Sequence, residues 1–134
     1  MFKKKVSDSQ NISDIIKKGK TQARQFLRTQ QYDEAIKTLN QLISIDSSDP
    51  ENYSLLGSAY KGKRIWDQAC LNYRTALEKN PNIPLTCALL GEVYNSMNKH
   101  EDSITCFKKA ISLNPCHCNN YYNVSRSYIR MGKF

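Results

Sequence analysis

Apolar residues recur along the chain with two periods. The shorter is helical: Tyr53, Leu56, Gly57 and Tyr60 fall at i, i+3, i+4 and i+7, and Ala69, Tyr73, Ala76 and Leu77 at i, i+4, i+7 and i+8. Each group therefore lines one face of a helix. Lys61-Gly62-Lys63-Arg64 lies between them, a break containing Gly62, which can adopt a positive φ. Asp33-Glu34, Asp67-Gln68 and Glu101-Asp102 open the second helix of each group. Carboxylates in a first helical turn offset the positive end of the macrodipole. Polar turns such as Asp46-Ser47-Ser48-Asp49-Pro50 and Asn80-Pro81-Asn82 then close each unit, and no alternating strand pattern occurs. Every unit reads as a helix hairpin.

The longer period is 34 residues. Phe26, Tyr60, Tyr94 and Tyr128 fall in register, as do Leu56, Leu90 and Val124. Gly57 meets Gly91, Tyr53 meets Cys87 and Tyr121, and Ala35, Ala69 and Ser103 align. Leu39, Tyr73 and Phe107 follow, then Leu42, Ala76 and Ala110, and finally Ser47, Pro81 and Pro115. So many positions matching in size and polarity mark an internal repeat, and fixed periods of this length belong to stacked repeat architectures.

The motif resembles the tetratricopeptide repeat (TPR) family, whose pattern has an aromatic at position 4, Leu-Gly at 7 and 8, Tyr at 11 and an aromatic at 17. Ala at 20, an aromatic at 24, Ala at 27 and Pro at 32 complete it. Residues 50–83 carry it through Tyr53, Leu56-Gly57, Tyr60, Trp66, Ala69, Tyr73, Ala76 and Pro81. Residues 84–117 depart at Cys87, His100 and Ser103, and residues 16–49 at Gly19, Gln22 and Ala23. Residues 118–134 match only a first helix, through Tyr121, Val124, Tyr128 and Gly132. The resemblance implies an all-α fold: a right-handed superhelical solenoid of antiparallel helix hairpins, three units followed by a terminal helix. Residues 16–134 form the repeat domain. Residues 1–15, polar and without evident period, are read as a disordered basic arm. The pattern stops where another second helix would begin. That predicts either a lone capping helix or a longer array, with self-association through the C-terminal edge in the first case.

In this family the first helices line a concave face that receives partner peptides. Carrying its groove positions over residue by residue selects Lys17, Lys20, Arg24 and Arg28 from the first unit, and Leu55 and Ser58 from the second. Leu85, Leu89 and Glu92 come from the third, and Tyr122, Asn123 and Arg126 from the terminal helix. The expected surface has a cationic entrance, a partly apolar middle and a basic, amide-rich exit. The carboxylate clamp of chaperone-binding members is incomplete: Lys20 fits, but Arg24, Leu55, Leu85 and Leu89 fill the remaining positions. The position-6 asparagine ladder of the glycosylating transferases is represented by Asn123 alone.

Charge sharpens this picture. The 134 residues carry a net charge of +8. Residues 1–30 hold eight basic and two acidic side chains, residues 31–83 six and seven, and residues 84–134 six and three. The ends are basic and the centre is neutral, which suits an acidic or amphipathic segment of a protein partner, alone or within a larger complex. Nucleic acid is disfavoured by the neutral centre and by the lack of a nucleic-acid motif, leaving a basic RNA-associated repeat protein as the rival from another class. A chaperone-type adaptor for a client protein is the alternative within the binding class.

Catalysis has little to work with. The two histidines, the missing phosphate-cradling glycine loop and the missing nucleophile elbow point away from an enzyme. Cys116-His117-Cys118 lacks the usual C-x₂₋₄-C pairing and second ligand set, so neither metal nor cofactor is expected. Five cysteines, an odd number without a dense framework, read as free thiols in a reducing compartment. Mean hydropathy is −0.63, no run suits a membrane span, and no apolar segment follows Met1-Phe2-Lys3-Lys4-Lys5. A cytoplasmic location is the expectation.

Overall fold

A computed structural model describes residues 2–132, with side chains from residue 8 onward. Met1, Lys133 and Phe134, which the expected arm and terminal unit include, lie outside the described residues. Seven helices follow one another: α1 (Phe2–Arg28), α2 (Tyr32–Ile45), α3 (Pro50–Gly62), α4 (Trp66–Lys79), α5 (Pro84–Ser96), α6 (His100–Leu113) and α7 (Cys118–Arg130). Helices α3, α5 and α7 begin 34 residues apart, as do α2, α4 and α6, so the period in the sequence is a period in space. Proline opens α3 and α5, where its missing N–H costs nothing. The Asp49 carboxylate caps α3 by accepting from the Glu51 N–H at 3.0 Å.

The turn inside each hairpin differs from expectation. Gly62 lies within α3, and a Cβ there would run into the Tyr32 ring of the preceding unit, so its role is close approach. The left-handed residues are Gln30, Arg64 and Asn98, each at φ 60°, with Gly132 at φ 71° in the same register. They allow the Gln31, Ile65 and Lys99 N–H groups to reach back to the Phe26, Tyr60 and Tyr94 carbonyls at 2.8, 3.0 and 2.8 Å. This is the Schellman closure of a helix end.

Each helix packs on its chain neighbours. Successive first helices (α1, α3, α5, α7) also touch, whereas the second helices (α2, α4, α6) do not touch one another among the described residues. The solenoid therefore curves towards the first helices. Its core interlocks large and small residues. Gly57 and Gly91 face the fully buried rings of Tyr73 and Phe107, and a Cβ would lie 2.7 Å from Tyr73 Cδ1 or 2.9 Å from Phe107 Cζ. The first unit inverts the fit. Ala23 stands at the glycine position, Leu39 replaces the aromatic, and Gly19 leaves room for Leu42 where Ala76 and Ala110 stand in the other units. Cys70, Cys87 and Cys106 act as small packers in these clusters; burial pushes the Cys106 thiol up to about 12.

The segment 8–15, expected to lack order, continues α1 as helix. Ile12, Ile16, Gly19 and Ala23 extend the helical stripe back into polar sequence, but residues 8–15 are all exposed and Ile16 is the first side chain to join a core cluster.

Candidate functional site

The inward curve makes one surface of the outward sides of α1, α3, α5 and α7, and the twelve groove positions lie on these four helices. Their chemistry is less uniform than the charge profile suggested. Lys20 is bridged to Asp49 and, at 3.1 Å, to Glu51, which also binds Arg24. Partial burial alone would lower the Lys20 pKa and raise that of Glu51. The hydrogen bonds and mutual charge outweigh it, so the Lys20 ammonium is held above its usual range and the Glu51 carboxyl below. Two of the four entrance cations are thus matched from within. Lys17 and Arg28 are exposed and enter none of the ion pairs found among the described residues.

Glu92 is likewise committed, to Lys61 across the next interface. Ser58 Oγ lies 2.8 Å from the Tyr73 hydroxyl and so anchors the second helix of its own unit. The apolar positions remain available. Leu85 is 64% exposed, and Leu55 and Leu89 are half-buried against the core clusters beneath them. On α7, Tyr122 is 66% exposed, the Asn123 carbonyl accepts from Ser127 Oγ at 3.0 Å, and Arg126 is half-buried with its Nε unpartnered. The structure therefore brings Lys20 and Arg24 together around Glu51. It leaves the leucines and Tyr122 as open surface.

Several further residues shape the site, and Glu51, Lys61 and Asn95 among them also hold groove positions of the family pattern. Asp49, Glu51 and Lys61 set its electrostatics, and Thr86, Asn95 and Ser127 form its polar floor. Ser54 Oγ and Thr86 Oγ1 lie 2.7 Å apart across an interface. Asn95 Oδ1 accepts from Ser127 Oγ at 3.0 Å and lies 2.9 Å from His100 Nδ1. Lys20 and Glu51, like Lys61 and Glu92, stand 31 residues apart, so the 34-residue register gave no signal for these pairs. A separate depression of about 400 Å³ lies between α1 and α2, lined by Ile15, Gly19, Leu42 and Ile45 among others, and no groove position borders it. No group of three or more His, Cys, Asp or Glu that could hold a metal ion occurs among the described residues.

A TPR repeat family model matches residues 23–63 and a tetratricopeptide repeat model residues 85–116, together more than half of the chain. The chain is 32% identical over 84 residues to a peroxisomal targeting signal receptor of Kluyveromyces lactis, covering 63% of this chain and 15% of the receptor. It spans 12 to 15% of the length of curated relatives such as this one and Protein bimA of Emericella nidulans. Among solved structures, MamA superposes with a TM-score of 0.81 at 28% identity, covering 96% of this chain and 74% of that one. The first TPR of Spaghetti (RPAP3), bound to the HSP90 peptide SRMEEVD, superposes at 0.83 with 18% identity, covering 93% of this chain and 96% of that one. Repeat register, helix hairpins and matched models agree: the chain belongs to the tetratricopeptide repeat family.

Proposed function

We propose that the chain is a non-catalytic interaction scaffold that holds a segment of another protein along the face formed by α1, α3, α5 and α7. The observation that carries this is the row of exposed or half-exposed apolar side chains on that face, Leu55, Leu85, Leu89 and Tyr122, flanked by polar groups that are already paired. An apolar centre with a polar rim is the anatomy of a protein interface. Support also comes from the Spaghetti structure, in which the same architecture carries a peptide.

Orientation along the groove falls to Lys17, Arg28 and the basic α7 end, because Lys20 and Arg24 are matched by Asp49 and Glu51. The chaperone-adaptor reading shares this groove, but the family's clamp positions are here occupied by paired or apolar groups. A basic RNA-associated role is weaker, since three cations on this face already have acidic partners. The α7 edge, with Tyr121 and Ile129 exposed, is the proposed surface for self-association. No helix among the described residues is long and apolar enough to cross a membrane, and the uneven, framework-free cysteines support a reducing, cytoplasmic setting.

The test uses a partner isolated by cross-linking to the intact chain. Leu85→Asp, at an exposed position, should shorten the lifetime of the complex, whereas Lys17→Glu with Arg28→Glu should slow association and weaken its salt dependence. Binding of both variants indistinguishable from that of the parent would move the interface to the convex side. Affinity that falls steeply with salt for every variant would favour RNA.

A further inference from the structure

Successive units are bridged by polar pairs on the groove side: Lys20 and Arg24 meet Glu51, and Lys61 meets Glu92. Thirty-four residues beyond Lys61 and Glu92 stand Asn95 and Arg126. The same register therefore sets an amide opposite a guanidinium where an ammonium meets a carboxylate one unit earlier. The hydrogen bond of 3.0 Å from Ser127 Oγ to Asn95 Oδ1 ties this stretch of α7 to Asn95. No acid pairs with Arg126 among the described residues.

Both groups lack an acceptor. Asn95 is 2% exposed and its Oδ1 is occupied by Ser127 and His100, but its Nδ2 donates to nothing. The buried Nε of Arg126 is equally unmatched. Buried donors of this kind carry the desolvation penalty of an unmade hydrogen bond. The interface between the third unit and α7 thus leaves two donors without an acceptor.

We propose that Arg126, backed by Asn95, receives a side-chain carboxylate of the protein segment lying in the groove. This rests on the groove reading above and names the chemistry of its ligand. Arg126 is partly exposed and meets the carboxylate with its terminal nitrogens, whose planar fork suits two oxygens at once; its Nε and the Asn95 Nδ2 are shut off from solvent and touch no ligand, so Asn95 acts by leaving Arg126 without an internal acid. The surface continues past Arg126 to Ile129 and Arg130, so the segment passes over the site and presents a side chain rather than its terminus. Leu89 and Tyr122 lie on the same face, so the carboxylate belongs beside apolar residues. The acid-binding end is thus the α7 end, opposite the stretch where Lys20 and Arg24 are already neutralised.

The experiment titrates the intact ¹⁵N-labelled chain with acetyl-Leu-Glu-Glu-Leu-amide and with its glutamine counterpart, following backbone shifts and the Arg126 Nε–Hε resonance. The glutamate peptide should bind about tenfold more tightly and should move and slow the exchange of the Arg126 Nε–Hε. Arg126→Gln should bring the two peptides to parity while the helical melting transition stays in place, and Arg74→Gln, at an exposed position on the second helix α4, should leave the preference intact. Asn95→Asp, which supplies an internal carboxylate as Glu92 does for Lys61, should also abolish the preference. Equal binding of both peptides by the parent chain, or a preference that survives Arg126→Gln, overturns the site but leaves the groove reading standing. A glutamine peptide with a free terminal carboxylate that binds as tightly as the glutamate peptide overturns the side-chain assignment. Binding of neither amidated peptide up to about 1 mM overturns both readings.

Discussion

The inverted core of the first unit can be transplanted into the third. A Cβ at Gly91 would lie 2.9 Å from Cζ and 3.0 Å from Cε1 and Cε2 of Phe107, a ring with no exposure and no room to retreat. Gly91→Ala gains about 1 kcal/mol of helix propensity. It loses about 1–3 kcal/mol to overpacking, for a net cost of about 1 kcal/mol. Phe107→Leu alone opens a gap over Gly91 and should cost about 1–2 kcal/mol, the usual difference between burying the two side chains. Combined, the changes recreate the Ala23–Leu39 pairing, which fills the same place in the first unit with both residues fully buried. The double variant should therefore be no less stable than Phe107→Leu, with a favourable coupling of about 1–2 kcal/mol. Urea unfolding at constant slope, followed by far-UV circular dichroism, measures all four corners of the cycle. Additivity within about 0.3 kcal/mol, or a Gly91→Ala variant more stable than the parent, would refute the reasoning.

Tyr60 packs against two core clusters at once, so Tyr60→Ala should cost about 3 kcal/mol, and a loss below about 1 kcal/mol in the same urea assay would contradict that placement. Because the folded-state pKa of Glu51 is depressed, its contribution is present above the unfolded value near ~4.3 and is lost as pH falls through the folded value. Glu51→Gln should remove that part of the acid-side decline in melting temperature. Hydrogen exchange should be fastest at residues 8–15, where helical amides have no packed side chains to protect them, and slowest in α3 to α5. Sedimentation over a range of concentrations should show reversible self-association that Tyr121→Lys suppresses, and a parent chain that stays monomeric throughout would remove α7 as an association edge.

Residues with a packing duty were easy to read from the chain. Tyr60, Gly57, Tyr73 and Ala76 repeat at 34 residues because every interface needs the same volumes in the same order, and that alone indicates the hairpins and their stacking. The turn was harder to see. Its left-handed positions hold Gln30, Arg64 and Asn98, so the nearby Gly62 drew attention for a conformation it does not adopt. Helix α1 reached further than expected because Ile12 and Ile16 continue its stripe into polar sequence, where Ile16 still meets the core but residues 8–15 are exposed. At the groove, position picked out Lys20 and Arg24, but their pairing with Glu51 depends on how far the stack curves. Spacing within a single helix carries no trace of that. Asn95 falls at a groove position of the family pattern, but its burial, and that of Ser127, comes only with the layering of α7 on the third unit.

The recurring left-handed residue has a consequence for how the stack melts. In three hairpins it carries a side chain, at an expense of about 1 kcal/mol each, while the same place on α7 is already Gly132. Glycine at 30, 64 and 98 would relieve each hairpin individually and leave the contacts between hairpins untouched. In a nearly one-dimensional array, unfolding is all-or-none because units too weak alone are held by strong coupling to their neighbours. Strengthening the units without the coupling should therefore raise the midpoint and broaden the transition together, letting end units melt independently of the centre. The strained turns are, in this sense, part of what makes the domain unfold as one body.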